Sequence, residues 1–371
     1  MKIGIITLPT RTNYGGILQA FALSRVLKDL GHSPEVIYLP VVWNVRWYKY
    51  PLTIIKRVIK RYIFHEKNII FIERKLNREY PIVSKNTWNF IERYIPFRIV
   101  HKYESIKENE YDAFVVGSDQ IWRPQYVTGP IENVYLAFAK DWNIKRIVYS
   151  ASFGTDKWEY SKEQTCLCKQ LLKQFNGVSC REKNGVEMCK EKFDCTAEHV
   201  LDPTLLLEKD IYSNFFDCNN SLHYDEILYY ILDWTDNKRK LLDYIIKKTG
   251  CKSFAVNSNY EDPTARVEDR IQPRVEQWLQ GFYDAKYVIT DSFHACVFSI
   301  IFNKPFWVVL NENRGTSRIS SLLSIFDLSN RIVSDIDSIK DVDSPINWDN
   351  VNAKWCKYKA SSLDFIKRYL N

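Results

Sequence analysis

Short apolar runs alternate with segments of helical periodicity along most of this chain. Lys2–Leu8 is rich in Ile and alternates little, as a strand buried on both faces does. Ile17–Leu30 places apolar residues at helical spacing and ends before Gly31, and Glu35–Leu39 is a second apolar run. This order predicts a β-α-β opening, in which a loop from Pro9 to Gly16 joins the first strand to the helix.

The same alternation resumes after residue 80 and continues to the C-terminus. Further strands are predicted at Tyr111–Gly117, Arg146–Phe153, Phe175–Cys180, His199–Leu201, Glu226–Leu232, Cys251–Val256, Tyr287–Ile289 and Phe306–Leu310. Helices are predicted from about Ser161, at Asn237–Lys248, around Arg274–Phe282, from His294, at Ser317–Phe326 and, last, at Ser361–Tyr369. Strands that alternate with helices are typical of parallel sheets covered by helices on both faces. We therefore predict an α/β protein of two Rossmann-like domains, residues 1–205 and 206–371, with a central cleft between them.

Residues 45–80 interrupt this pattern, and a basic helical arm of the first domain is predicted over about residues 45–100. Within the arm, Leu52–Phe64 has an apolar face and a basic face at helical spacing. The apolar face consists of Ile55, Val58, Ile59, Tyr62 and Ile63, and the basic face consists of Lys56, Arg57, Lys60 and Arg61. Such a helix can lie in a membrane surface. It can also pack on the protein's own body or on a second subunit, with its basic face in solvent.

The positive charge of the chain is concentrated in the same arm. The chain carries 52 Lys or Arg and 45 Asp or Glu, which gives a net charge of +7. Residues 46–78 contain ten Lys or Arg and two Glu, so the remainder has 42 basic and 43 acidic residues. A general affinity for nucleic acid is therefore not predicted, whereas a local contact between residues 46–78 and an anionic membrane is considered.

Cysteine usage and hydropathy limit the compartment and the metal chemistry. The nine cysteines are scattered, and the CxC of Cys166 and Cys168 has no second pair and no histidine near it. This pattern indicates reduced thiols rather than a disulfide framework or a structural zinc. No apolar run approaches the length of a membrane span, and MKIGIITLP is too short for a signal peptide. We predict a cytoplasmic protein without a metal site.

Polar residues follow several predicted strands, at the sheet edge where ligands bind in open α/β folds. Those residues are Asn13, Tyr14, Ser118, Asp119, Gln120 and Arg181 in the first half, and Asp291, Ser292, His294, Arg314 and Arg318 in the second half. Gly15 and Gly16 precede a predicted helix, whose N-terminus can hold an anion. No P-loop, GxSxG or HExxH motif is present. A histidine acid or base, with arginines around an anion, indicates a transferase-like enzyme with an anionic donor.

Five of these motifs occur together in one order along the chain. They are Asn13-Tyr14-Gly15-Gly16 with Gln19, Val116–Trp122, Ser179–Glu182, Asp202-Pro203-Thr204 and Thr290–His294. With this combination the chain resembles the polysaccharide pyruvyl transferase family over about residues 13–310. The resemblance implies a glycosyltransferase-B-like pair of domains. It also implies transfer of pyruvate from phosphoenolpyruvate to two hydroxyls of one sugar as a cyclic ketal, without a cofactor.

The resemblance and the chemistry together suggest a role for each candidate residue. His294 is assigned as the general acid toward the donor methylene, and Asp119 as the second catalytic residue. The expected donor-binding residues are Arg181, Ser292, Arg314, Arg318, Gly15 and Gly16, and the expected acceptor-binding residues are Asn13, Tyr14, Gln120 and Asp202. Asp119 and Asp202 can equally cap a helix or stabilise a turn.

One position departs from the family pattern. Many family members carry an arginine two positions before the histidine, where this chain has Ser292. A cation for the donor must then come from elsewhere. Arg181 matches a family position, whereas Arg314 and Arg318 are candidates on chemical grounds.

Two other functions stay open at this point. A nucleotide-sugar glycosyltransferase of the same architecture would use the second half for a nucleoside diphosphate. A non-catalytic sugar-binding or assembly component would keep the fold without the reaction. The acceptor expected from the resemblance is a sugar in a surface polysaccharide or in its lipid-linked precursor, which would place the protein at the inner membrane face.

Overall fold

Apolar runs form the strands of two sheets. The computed structural model describes residues 1–9, 12–45, 47–311, 315–339, 342 and 344–370. The strands of the first sheet are β1 Lys2–Ile6, β2 Ser33–Tyr38, β3 Phe97–Ile99, β4 Ala113–Val116, β5 Lys145–Ala151, β6 Gly177–Cys180 and β7 Glu198–His199. Those of the second sheet are β8 Ile227–Tyr230, β9 Ser253–Phe254, β10 Tyr287–Thr290 and β11 Phe306–Val308.

Both sheets are parallel and doubly wound. The first has the order β3-β2-β1-β4-β5-β6-β7, and the second has the order β11-β10-β8-β9. Register is set across the centre of the first sheet by β1, in which Ile6 lies opposite Ile37 on β2 and Val116 on β4. All four residues of β4 are buried, as expected for a strand with helices on both faces. The predicted α/β class with two Rossmann-like domains is confirmed.

The connections between strands are mostly helical. The helices are α1 Tyr14–Asp29, α2 Tyr50–Tyr62, α3 Ile72–Val83, α4 Lys85–Tyr94, α5 Lys162–Leu172, α6 Lys183–Phe193, α7 Lys209–Ser213, α8 Asp236–Thr249, α9 Val275–Asp284, α10 Phe293–Ile301, α11 Thr316–Ile325 and α12 Trp348–Leu370. Helix α10 is buried along its whole length, because it carries apolar residues on every side.

Helix α1 begins earlier than the sequence predicts. The predicted loop extends to Gly16, but the helix starts at Tyr14 because Asn13 caps it. The Asn13 side-chain oxygen accepts a hydrogen bond from the Gly16 backbone N–H at 3.2 Å. Gly15 and Gly16 therefore lie in the first helical turn rather than in a loop before it.

One apolar core joins the two domains. It contains residues of α1 from the first domain and of α9 and α10 from the second. Tyr14 stacks on Trp278 with ring centroids 5.3 Å apart, and its hydroxyl donates a hydrogen bond to the Pro273 carbonyl at 2.8 Å. Because buried aromatic rings contribute strongly to packing, this contact fixes the start of α1 against the second domain.

The C-terminal helix crosses back to the first domain. Helix α12 begins at Trp348, well before the predicted start at Ser361, and its buried face packs beside β5 and the turn after β7. The Trp355 indole N–H donates to the Leu205 carbonyl at 2.6 Å, and the Leu201 N–H donates to the Ser362 hydroxyl at 3.0 Å. The predicted domain boundary at residue 205 therefore separates the two sheets. Helix α12 follows that boundary in the sequence but packs on the first domain.

The basic arm is attached to the second domain by a buried ion pair. Helices α3 and α4 follow α2, and Glu79 on α3 accepts a hydrogen bond from Arg270 at 2.6 Å. Both side chains are at most 10% exposed. The Val83 carbonyl accepts a further bond from the Gln272 N–H at 3.1 Å. Glu79 also lies 3.3 Å from Arg78 and 4.0 Å from Lys75, so Arg270 is the nearest of three cations around this carboxylate.

We expect Arg270→Met to lower the free energy of unfolding by about 1–3 kcal/mol, because Glu79 would lose its shortest hydrogen bond and keep the more distant cations Arg78 and Lys75. Urea denaturation followed by tryptophan fluorescence measures the change. Arg266→Met serves as the matched control, since its ion pair with Asp269 is exposed, and it should leave the unfolding midpoint unchanged. Equal effects of the two substitutions would contradict a structural role for the Glu79–Arg270 pair.

Candidate active site

The carboxyl ends of strands from both sheets meet at a cavity of about 100 Å³ between the domains. The residues that line it are Thr12, Asn13, Gly15, Asp119, Gln120, Tyr230, Leu232, Tyr260, Trp278, Asp291, Ser292, Phe293, His294 and Arg318. A wider cleft of about 710 Å³ shares Asn13, Asp119 and Gln120 with this cavity. The position agrees with the rule that α/β sheets bind ligands at their carboxyl ends.

His294 is presented to the cavity by the first turn of α10. Its imidazole is buried, and Nε2 lies 3.6 Å from Oδ2 of Asp202. On its other side the ring lies against Gly15, where an added Cβ would approach Nδ1 to 2.0 Å. Gly15 is therefore required for His294 to occupy this place, which is a different role from the predicted contact with the donor.

Asp202 joins His294 to the first domain. Its Oδ1 accepts hydrogen bonds from the Thr204 backbone N–H at 3.0 Å and the Thr204 hydroxyl at 2.6 Å. Its Oδ2 accepts a hydrogen bond from Arg181 at 2.9 Å. Burial raises the pKa of Asp202, but His294, Arg181 and Thr204 outweigh burial and hold that pKa well below its usual range. Asp202 does not line the cavity, so the predicted contact with an acceptor is not what this geometry favours.

Arg181 also lies behind the cavity wall. Its guanidinium is 1% exposed and donates to Asp202 and, at 3.3 Å, to Asp119. The Phe293 ring lies over it, with 4.2 Å between the guanidinium carbon and the ring centroid. Burial lowers the pKa of Arg181, but the surrounding carboxylates Asp119, Asp202 and Glu182 more than compensate, and the net shift is upward. These contacts favour a positioning role for Arg181 over the predicted direct contact with a donor.

Among the described residues, Arg318 is the predicted donor-binding arginine that lines the cavity. It lies in the first turn of α11 and is 7% exposed. Burial, with the nearby charge of Arg181, lowers the pKa of Arg318 to about 10, so the side chain is cationic at neutral pH. The helix start is fixed by Gly315 at φ +80°, where an added Cβ would lie 2.1 Å from the Gly154 carbonyl oxygen. The other predicted arginine, Arg314, lies outside the described residues.

A second buried ion pair holds the turn that precedes His294. Lys238 on α8 donates to Asp291 at 2.6 Å, and both side chains are almost fully buried. The Asp291 carboxylate also accepts from the Leu232 and Asp233 backbone N–H groups at 2.7 and 3.1 Å. Ser292, a predicted donor ligand, follows directly and lines the cavity. The ends of β8 and β10 are thereby joined beside His294.

The predicted acceptor ligands separate into two groups. Asn13 and Gln120 line both the cavity and the wider cleft, where they can reach a ligand. Tyr14 is 1% exposed and is occupied by its contacts with Trp278 and Pro273, so its predicted acceptor role is not supported. Gly16, which is predicted to bind the donor, lines the wider cleft but not the cavity.

Asp119, the second predicted catalytic residue, lines both the cavity and the cleft. Its backbone φ is +63°, a left-handed conformation that Asp adopts more readily than most residues. Its carbonyl accepts a hydrogen bond from the Ser152 N–H at 3.0 Å. This turn aims the Asp119 carboxylate at Arg181 while leaving it at the cavity wall.

Sequence reasoning missed several groups at the site. Tyr230, Tyr260 and Trp278 line the cavity, and Lys238 supports it from behind. Tyr230 ends a strand and so carries a positional signal, whereas Trp278 is indistinguishable from a core residue of α9 in the sequence. No group of three His, Cys, Asp or Glu in the described part of the chain is arranged to hold a metal ion. In the same residues, no helix has both the length and the hydropathy needed to cross a bilayer.

Two sheets with a polar site between their carboxyl ends define an α/β protein of the glycosyltransferase-B architecture. The S. aureus MnaA–UDP co-structure is similar, with a TM-score of 0.48, 13% identity, and coverage of 99% of this chain and 91% of that one. A Neisseria meningitidis UDP-GlcNAc 2-epimerase bound to UDP-GlcNAc has a TM-score of 0.44, 10% identity, and coverage of 98% and 94%. No curated protein sequence matches the chain significantly. The polysaccharide pyruvyl transferase family matches at residues 13–313, and this chain belongs to that family.

We expect Gly15→Ala to displace the His294 imidazole, because the new Cβ would overlap Nδ1. The imidazole ¹H–¹⁵N resonances of His294 should shift. Gly16→Ala is the matched control, since its Cβ would come no closer than 3.4 Å to Asn13, and these resonances should stay unchanged. An unshifted His294 signal in a folded Gly15→Ala protein would contradict the contact.

The stability of the fold should depend on the Asp202 carboxylate in acid. Because the pKa of Asp202 is lowered in the folded protein from an ordinary 3.8, its contribution is fully present above about pH 4 and is lost as pH falls through the lowered value. Asp202→Asn should reduce the free energy of unfolding at pH 7 by about 3–5 kcal/mol and make the acid dependence shallower. Urea denaturation across pH measures both effects, and an unchanged acid dependence would contradict the assignment.

Proposed function

We propose that this protein transfers pyruvate from phosphoenolpyruvate to two hydroxyls of one sugar, forming a pyruvate ketal, with His294 as general acid. The observation that carries the proposal is the placement of His294 and Arg318 on one cavity in a member of this transferase family. The phosphate and the carboxylate of the donor are ionised at neutral pH, so the donor needs a cation in a largely desolvated site. Arg318 and the N-terminus of α10 supply positive potential there.

His294 would deliver a proton from its imidazole at the cavity, while Asp202 faces the buried Nε2. Protonation of the donor methylene turns it into a methyl group and makes C2 electrophilic. One sugar hydroxyl oxygen bonds to C2, the bond from C2 to the phosphate oxygen breaks, and the second hydroxyl closes the ketal. Of the two hydroxyl protons, one leaves with phosphate and one returns to His294, so the scheme is balanced without a cofactor or metal.

Asp119 is proposed to orient the acceptor by accepting a hydrogen bond from its hydroxyl. The carboxylate lies where the cavity meets the wider cleft, together with Asn13 and Gln120. The cleft, at about 710 Å³, has room for a sugar of a surface polysaccharide or of its lipid-linked precursor. Arg181 and Asp202 act in this proposal by holding Asp119 and His294 in place.

The proposed location follows from the acceptor. A lipid-linked precursor places the reaction in the cytoplasm at the inner membrane face, for capsule or exopolysaccharide synthesis. Peripheral contact with anionic membrane through residues 46–78 belongs to this proposal. The surplus of eight positive charges in those residues supports it. A nucleotide-sugar glycosyltransferase remains the alternative activity, and it is distinguished by the product released.

We expect the protein to release phosphate from phosphoenolpyruvate only when a sugar acceptor is present, together with a pyruvyl adduct detected by mass spectrometry. His294→Gln should lower this rate about 10²–10⁴-fold, the range for loss of a general acid. His101→Gln, at an exposed histidine that does not line the cavity, should not change it. Release of UDP from a sugar nucleotide, or full activity of His294→Gln, would contradict the proposal.

A further inference from the structure

Exposed apolar side chains are concentrated on one short segment of the arm. Among the described residues, 17 large apolar side chains are exposed, and eight of them lie within residues 47–64. They are Trp47, Tyr48, Leu52, Ile55, Ile59, Tyr62, Ile63 and Phe64. Helix α2 has no buried residue at all. A solvent-exposed apolar patch of this kind marks a site of interaction.

The orientation of α2 exposes its apolar face and anchors part of its basic face. Arg57 donates to both carboxylate oxygens of Glu73, at 2.7 and 2.8 Å, and to the Ile70 carbonyl at 3.0 Å. Arg61 donates to the Asn68 carbonyl at 3.1 Å. The helix is thus held to residues 66–73 by its arginines.

The opposite stripe of α2 points away from the protein. Leu52, Ile55 and Ile59 recur at helical spacing and are 72%, 55% and 40% exposed. In the described part of the chain, this stripe therefore does not pack on the protein's own body. A partner outside the chain is needed to cover it.

The positive charge around the stripe indicates which kind of partner would cover it. The two acidic residues of segment 46–78, Glu66 and Glu73, pair with Lys60 and Arg57. The segment keeps a surplus of eight positive charges. A second copy of the chain would bring two such surpluses together, whereas an anionic lipid surface would neutralise them. Lys49 and Lys56 are exposed at the border of the stripe, where headgroup phosphates would lie.

We infer that α2 docks this protein on an anionic bilayer, with the stripe of Leu52, Ile55 and Ile59 inserted at the headgroup–acyl boundary. The exposed aromatic residues Trp47, Tyr48 and Tyr62 lie at the ends of the stripe, where amphipathic rings favour an interface. The suggestion that docking brings the protein to a lipid-linked acceptor rests on the proposed function. The binding itself needs neither donor nor acceptor.

The test compares vesicles of phosphatidylcholine with and without phosphatidylglycerol, using the full chain in a flotation assay. Binding is expected only with phosphatidylglycerol and should weaken as salt increases. Replacing Leu52, Ile55 and Ile59 together by Ser should reduce affinity at least about 100-fold. Lys49→Gln with Lys56→Gln should reduce it about tenfold or more. These substitutions spare Arg57 and Arg61, which hold the helix in place.

Matched controls separate the stripe from general surface properties. Ile99, Leu167 and Leu222 are exposed apolar residues on other elements, and Lys162 and Lys173 are exposed cations. Their Ser and Gln variants should bind as the wild type does. Pyruvyl transfer to a soluble acceptor should be unchanged in the stripe variant, which separates failure of docking from failure of the proposed function. No binding to anionic vesicles, binding that survives loss of the stripe, or a dimer abolished by the stripe variant would overturn the inference.

Discussion

The carboxylate of Asp202 is the constraint on which the candidate site depends. A charge removed from water is tolerated only with partners that replace its hydration, and Asp202 has Arg181, Thr204 and the nearby His294. These partners come from the end of β6, from the connection between the sheets, and from α10. One buried group thereby ties the histidine of the second domain to the turn that carries Asp119. The position of the catalytic candidates is fixed by electrostatics as much as by packing.

The apolar contacts between the domains make that constraint effective. Tyr14 and Trp278 place the start of α1 against the second domain, and Gly15 then lets the His294 ring approach the helix backbone. At the opposite side of the cleft, Gly315 approaches the Gly154 carbonyl and positions the helix that carries Arg318. His294 and Arg318 both belong to the second domain. Each reaches the cavity because a glycine allows close contact with the first domain, Gly15 for His294 and Gly315 for the helix that carries Arg318.

The sequence predicts local features of this arrangement better than its long-range pairing. The alternation of apolar runs and helical periods predicts the strands of both sheets except β3, which is an edge strand inside the predicted helical arm of residues 45–100. The rule for strand ends predicts that His294, Asp119 and Ser292 face a cleft. It does not predict that Arg181 is bonded to Asp119 and Asp202, since a charged residue carries no sign of its partner. Nor does it predict that Tyr14 contacts Trp278 and Pro273, and the acceptor role of Tyr14 stays a prediction. Lys238 has no signal in the pattern of α8, because its role appears only when β8 and β10 lie side by side. In the arm, periodicity predicts two faces, but only the contacts of Arg57 show which face is outward.

In the proposed reaction, His294 protonates the donor methylene as the ketal forms. The mass of the product formed in D₂O tests it most directly. We expect one carbon-bound deuterium in the pyruvyl methyl group of each product, and His294→Gln should form this product much more slowly. A product without carbon-bound deuterium, as transfer of an intact enolpyruvyl group would give, or the same product at the wild-type rate from His294→Gln, would contradict it.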